Sequence, residues 1–252
     1  MSEELNQNPN EIVENNEEIT ENKEERIDGE GKTNSIIRFE NATITQGRVV
    51  LSNINLEIAK GEFVYLIGKT GSGKSSLLKT IYADIPLTSG IGMVCDMPLF
   101  KIKKKNIPLL RRKLGIVFQD FQLLQDRNIF DNVAFVLKAI GIKDKNEIQD
   151  KVTLALESVG MDQRKDEMPY KLSEGEMQRV AIARAIVNQP EIIIADEPTG
   201  NLDPITSEEI VKLLLKINQE NNTSILMVTH DYLVVDKFRF RVICCEDGKL
   251  IA

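Results

Sequence analysis

Residues 68–75 read GKTGSGKS, and Ser76 follows them. Gly68, Gly71 and Gly73 let the backbone turn its N–H groups inward, and Lys69, Thr70 and Ser72 complete the loop between them. The pattern G-x4-G-K-[ST], placed between an apolar strand and a helix, describes a cradle for a nucleoside triphosphate. In it Lys74 reaches the β- and γ-phosphates, Ser75 ligates Mg2+, and the next helix points its positive end at the anion. The pattern in this context rarely arises by chance, but alone it does not separate GTPases, kinases and ATPases.

Two further stretches carry chemistry. In EIIIADEPTGNLD, Asp196 and Glu197 close a short apolar strand. Asp196 is placed to hold Mg2+ through water, and Glu197 to orient and polarise an attacking water. One acid at a strand end is commonly a helix cap or a solvated turn. Two adjacent acids in a chain with a phosphate loop point to catalysis. The other stretch is YKLSEGEMQRVAIARA at 170–185, where a helix is expected to start at Ser173 with Glu174 and Glu176 in its first turn. Acids there suit the helix dipole. If the turn faces a phosphate instead, Glu174 opposes the ligand.

These groups need a scaffold. SIIRFENATI and VVLSNINLEIA alternate as paired antiparallel strands, and GEFVYLIG is a short buried strand leading into the loop. SSLLKTIYADI reads as a helix and LGIVFQD as another buried strand. Residues 126–172 are mostly helical, with breaks at VGMD and near MPY. EIIIADEP is a strand, SEEIVKLLLKINQE an amphipathic helix and TSILMVTHD a strand. Apolar strands alternating with helices predict a parallel sheet covered on both faces.

Composition sets the bounds. Hydrophobic residues make up 42% of 252 residues, enough for a sizeable core. No run of 18 apolar residues and no basic-then-apolar leader is present, so neither a membrane span nor a signal peptide is expected. Cys95, Cys244 and Cys245 lack metal spacing and suit reduced thiols buried in or near a core. The net charge of -7 resides in residues 1–34, which hold 11 acidic and 3 basic side chains; the remainder holds 28 and 29. That segment, poor in apolar residues, is expected to be a disordered acidic tail, and it argues against nucleic acid as a partner. The basic stretch KIKKKNIPLLRRK at 101–113 reads as a solvated face or as a surface near anionic lipid headgroups. It lacks the interleaved aromatics of a nucleic-acid platform.

Taken in order, GKTGSGKS, FQD at 118–120, LSEGE, IIIADEP, NLD and VTHD resemble the ATP-binding-cassette ATPases, over nearly all of residues 36–252. GIVFQDFQLLQDRNIFDNVAF and ADEPTGNLD are most similar to the cell-division branch of that family; its lipoprotein-releasing and macrolide-export branches share PTGNLD. The resemblance implies an α/β fold: a P-loop NTPase (RecA-like) core with an N-terminal antiparallel β subdomain and an inserted helical subdomain at about 126–175. The domain would span 35–252, behind the 1–34 tail.

The resemblance also implies roles. Glu197, His230 and Gln119 would be catalytic, Gln119 sensing Mg2+ and the γ-phosphate near the docking cleft of a membrane partner and His230 bonding the γ-phosphate. Ser75, Gln119 and Asp196 would serve the metal, Asp196 through water. Ser173, Glu174, Gly175 and Glu176 would form a signature loop acting in trans on the nucleotide of a second copy, and Asp203 would join the dimer contact. ATP and Mg2+ are the implied cofactors. The implied partners are a second copy of the chain, joined on ATP binding, and a permease-like integral membrane protein of the FtsX kind. The implied place is cytoplasmic, peripheral on the inner face of the cell membrane.

Two departures from the family pattern stand out. Glu174 occupies the first glycine position of the signature and is expected to point outward, weakening closure without abolishing it. Between Phe39 and Phe63 there is no aromatic residue to stack on adenine; Thr45 or Gln46 lies near the expected place, so ATP and GTP should be poorly discriminated. The alternatives are the ATPase of a lipoprotein or export transporter, with identical chemistry, and a non-catalytic nucleotide-gated scaffold, against which Lys74, Asp196, Glu197 and His230 stand. Ser173 follows Lys74 by only 99 positions, which leaves no room for the long coiled-coil insertion of a chromosome-maintenance ATPase.

Overall fold

The computed structural model describes residues 34–251. The expected acidic tail lies, but for Asn34, outside the described residues. The described chain forms β1 (Ser35–Gln46), β2 (Arg48–Ala59), β3 (Phe63–Ile67), α1 (Lys74–Ile81), β4 (Leu87–Val94), β5 (Met97–Pro98), α2 (Ile107–Arg111) and β6 (Leu114–Val117). It continues through α3 (Ile129–Ala139), α4 (Lys145–Ser158), α5 (Glu174–Ile186), β7 (Ile192–Asp196), α6 (Pro204–Asn221), β8 (Ser224–Val228), α7 (Tyr232–Lys237), β9 (Arg241–Glu246) and β10 (Lys249–Ile251).

Two sheets result. The first is antiparallel, in the order β2-β1-β4-β5. The second has the order β10-β9-β3-β8-β7-β6; β9, β3, β8, β7 and β6 run parallel and β10 is antiparallel at the edge. The parallel strands are apolar throughout because both faces are covered. Val64, Leu66, Ile192, Ile194, Leu226 and Val228 join the antiparallel sheet and Leu77, Leu78 and Ile81 of α1 in one core. Their neighbours Phe63, Tyr65, Ile193, Ala195, Ile225 and Met227 join α3, α4, α5 and α6 in the other.

The strands and helices read from the sequence are present, with shifted ends. The helix expected from Ser207 begins at Pro204, behind the cap Asp203. The signature helix begins at Glu174 with Ser173 as its N-cap and continues to Ile186, beyond the helical stretch read at 126–172. The break at VGMD is Gly160 at φ 71 followed by a 3-10 turn at Asp162–Arg164. Strands β4, β5, β9 and β10 and helices α2 and α7 were not read from the sequence.

The topology gathers the chemistry. In a parallel sheet all C-terminal strand ends lie on one edge, where ligands bind at a crossover. β8 lies between β3 and β7, with Leu66 level with Val228 and Val228 level with Asp196. Pairing runs past the strand ends: the Glu197 N–H donates to the Val228 carbonyl (3.0 Å) and the Thr229 N–H to that of Leu66 (3.3 Å). The phosphate loop, Glu197 and His230 therefore leave the sheet side by side.

Candidate nucleotide site

The loop after β3 is shaped by close backbone approaches. Gly68 has φ 146, and a Cβ there would lie 2.2 Å from the Cys245 carbonyl oxygen of β9. Gly73 has φ 113, caps α1, and would drive a Cβ to 2.9 Å from the Leu51 side chain. Lys74 is buried, and its ammonium donates to the carbonyls of Gly68 (2.6 Å) and Lys69 (3.0 Å), which curls the loop around it. The Cys245 thiol donates to the Ser72 carbonyl (3.2 Å), and burial pushes its pKa up. The first turn of α1 carries no acid, so its N–H groups and dipole face the cleft unopposed.

Thr70, Gly71, Gly73, Lys74, Ser75 and Ser76 line one cleft together with Asp196 and Glu197. Asp196 makes no ion pair among the described residues. Its carboxyl is pushed above the usual range, first by burial and then by Glu197, against the opposing pull of Lys74 and Lys79. Two adjacent carboxylates and the exposed Ser75 hydroxyl form an all-oxygen donor set, which fits a hard cation such as Mg2+. Glu197 sits at φ 48, a left-handed conformation uncommon outside glycine. Its carboxylate lies 2.9 Å from His230 Nδ1, so the two side chains form a pair above the sheet edge. Gln119 leaves β6 exposed and rests on the turn after Glu197. Its carbonyl accepts from Asn201 Nδ2 (3.4 Å), and a Cβ on Gly200 would lie 3.0 Å from its Nε2.

The remaining predicted residues lie elsewhere. Ser173, Glu174, Gly175, Glu176 and Asp203 line a second cleft with Arg179, Leu202, Thr206 and Glu209, and the two clefts share no residue. The first turn of α5 has a local explanation that the sequence reading passed over. Ser173 and Glu176 form a capping box: the Ser173 N–H donates to the Glu176 carboxylate (2.9 Å), and the Glu176 N–H to Ser173 Oγ (3.4 Å). Arg164 pairs with both Glu176 and Glu167. Asp203 caps α6 by accepting from the N–H groups of Ile205 (3.0 Å) and Thr206 (3.1 Å) and also accepts from the Thr206 hydroxyl (2.5 Å). The Thr206 hydroxyl first, and then these N–H groups, hold its carboxyl below the usual range. Glu209 pairs with Arg179 at 2.6 Å. Glu174 alone among these acids is exposed and without a partner among the described residues. At Gly175 a Cβ would strike Thr206 of α6 at 2.6 Å.

At the far side of the phosphate cleft the edge is polar. Gln46 and Arg48, the last pair of the β1–β2 hairpin, line it with Val50, and Gln46 Oε1 accepts from Ser76 Oγ (3.3 Å). Thr45 instead meets Thr88 (3.3 Å). Arg48 was not picked out from the sequence. Its signal was only that it closes the hairpin opposite Gln46.

A phosphate loop, a paired acid strand and a detached capped turn, all on one parallel sheet, define a class of nucleotide-hydrolysing cassette. Residues 51–200 match the family model described as ABC transporter. The chain belongs to this family, the ATP-binding-cassette ATPases. It is 43% identical over 205 residues to the "Cell division ATP-binding protein FtsE" of Streptococcus pneumoniae (strain D39), covering 81% of this chain and 88% of the relative. It is 47% identical over 207 residues to the protein of that name from Mycobacterium tuberculosis, covering 82% and 89%. With the Escherichia coli K12 protein of the same name it shares 39% over 217 residues, covering 85% and 97%. Among solved structures, the dimeric post-hydrolysis state of the cassette MJ0796, bound to ADP and Pi, matches with TM-score 0.76 at 34% identity, covering 86% of this chain and 97% of that one. The cbiO1 subunit of the cbiONQ transporter from Clostridium perfringens matches with TM-score 0.80 at 32% identity, covering 87% and 88%.

Proposed function

We propose that this chain is the ATP-hydrolysing subunit of a cell-division machine, working as a nucleotide-closed pair of copies that drives a permease-like membrane protein of the FtsX kind. The observation that supports it most is the separation of the two clefts: the loop, Asp196 and Glu197 lie in one and Ser173–Glu176 in the other, with no shared residue. A second copy placed head to tail brings the α5 turn of one to the phosphate loop of the other. The names of the relatives support the division role.

In this reading the loop N–H groups and the start of α1 hold the phosphates, and Lys74 turns from its own loop carbonyls to the β- and γ-phosphates. Ser75, Gln119 and, through water, Asp196 would hold Mg2+, which would supply positive charge to offset that of the phosphates. Glu197 accepts the proton of the attacking water, and His230, paired with it, bonds the γ-phosphate. Asp203 and Glu176 brace the turn that meets the partner's nucleotide. Gln46 and Arg48 face the base, where the polar edge offers no aromatic stack.

The test is to trap a tagged Glu197→Gln variant with ATP in its native cells, extract the membranes gently and identify what copurifies. A permease-like protein with an extracytoplasmic domain, together with division proteins, supports the reading. A many-spanning permease or a lipoprotein carrier would make the chain a transporter subunit, and recovery of no membrane protein would favour a nucleotide-gated scaffold.

A further inference from the structure

The segment after Gln119 has an unusual anchor. Phe121 and Gln122 both adopt left-handed backbone, φ 57 and 47, and their carbonyls are taken up by one side chain. Arg184 of α5 donates from Nη2 to the Phe121 carbonyl (2.7 Å) and from Nη1 to the Gln122 carbonyl (2.5 Å). It makes no ion pair among the described residues, and burial pulls its pKa down against Asp120. A guanidinium that gives up water for two backbone carbonyls serves geometry, since its planar fork fixes both at once. Farther along, the buried Asn132 of α3 accepts from the Leu124 N–H (2.7 Å) and donates to the carbonyls of Leu124, Arg127 and Asn128. The stretch from Phe121 to Asn128 is thus bound to the helices, while Gln119 itself rests on the turn after Glu197.

Arg184 and Ser173 belong to the same helix and its cap, eleven positions apart, which is roughly 16 Å of straight rod. We infer that Arg184 is a positioning residue: it ties the backbone beside Gln119 to the helix that carries Ser173–Glu176. The turn offered to one nucleotide is thereby linked, through the Phe121 and Gln122 backbone, to the glutamine serving the other. The inference rests on the proposed reading of those two groups and adds the part that joins them.

The experiment is a double-variant cycle on the full chain. Arg184→Met keeps the aliphatic stem and removes the fork; Arg184→Lys keeps the charge. Each is made alone and with Gln119→Ala, and melting temperature, Mg-ATP affinity, KM and kcat are measured. Displacement of a positioned group by about 1 Å costs roughly 100-fold, so Arg184→Met is expected to lower kcat by about 10- to 100-fold with Mg-ATP affinity and KM held within about twofold. Arg184→Lys should recover part of it. Because Arg184 acts through Gln119, the double variant should be no slower than Gln119→Ala alone. Multiplied effects in the double variant, or an unchanged kcat in a folded Arg184→Met, would overturn the inference; if the Met variant does not fold, the Lys variant decides in the same cycle. Absence of ATP hydrolysis by the unaltered protein would instead overturn the reading beneath it.

Discussion

Glu176 decides between two accounts of the α5 turn, and its removal has a calculable cost. Replacement by Ala removes the half of the capping box that serves the Ser173 N–H, a carboxylate in the first helical turn, and one of the two acids on Arg164. A cap is worth about 1 kcal/mol, the dipole term about 0.3–1 kcal/mol, and a partly exposed ion pair well under 1 kcal/mol. Arg164 keeps Glu167, so the loss is about 1–2 kcal/mol, or about 2–8 °C in Tm for a domain of roughly 200 residues. Glu176→Gln keeps an acceptor for the Ser173 N–H and should cost about half as much. The pH dependence has a definite sign. The Ser173 N–H first, then Arg164 and the Ser173 hydroxyl, hold the Glu176 carboxyl below the usual range. Its contribution is therefore complete above the ordinary carboxylate range and is lost as pH falls through the lowered value. Thermal melts of the native protein and Glu176→Gln should converge as pH drops below about 4. The reasoning is refuted if both variants melt like the native protein while ATP-dependent dimerisation changes strongly, since Glu176 would then face the nucleotide and not its own helix.

Removing the single unpaired acid of that turn, Glu174→Gly, should tighten ATP-dependent dimerisation about two- to tenfold, as expected for one exposed charge several Å from a triphosphate; unchanged dimerisation counts against an opposing carboxylate. Gly68→Ala should abolish nucleotide binding in an equilibrium titration, because its Cβ meets backbone at 2.2 Å, whereas Gly71→Ala, with open space around it and φ 82, should retain weakened binding. Thiol reagents at neutral pH should modify the half-buried Cys244 first, since burial pushes the pKa of Cys95 up to about 12 and raises that of Cys245. Prior labelling of Cys95 in the folded protein would contradict its burial.

What was legible in the sequence was what local chemistry dictates. Ile192–Asp196 is apolar because both faces are covered, so the strand and the acids that end it stand out together. The phosphate loop shows because Gly68 is demanded by a backbone contact at 2.2 Å and Gly73 by its left-handed φ of 113. β4 was missed because LTSGIGMV carries glycines that weaken a strand pattern. Gly92 is needed there, since a Cβ would meet Leu87 at 2.7 Å and Phe39 at 3.0 Å, contacts invisible along the chain. Arg184 and Gln122 are 62 positions apart and Arg48 joins the lining of the phosphate cleft only through folding, so neither could be picked out by spacing. The S-x-x-E of Ser173–Glu176 is a capping signal legible along the chain, because both of its partners lie within one helical turn.

The claim that the working site is built from two copies is tested most directly by light scattering of purified Glu197→Gln with Mg-ATP, with Mg-ADP and without nucleotide. The account predicts a dimer with Mg-ATP alone, lost when Lys74→Ala is added. A monomer under all three conditions, or a dimer indifferent to nucleotide, would contradict it.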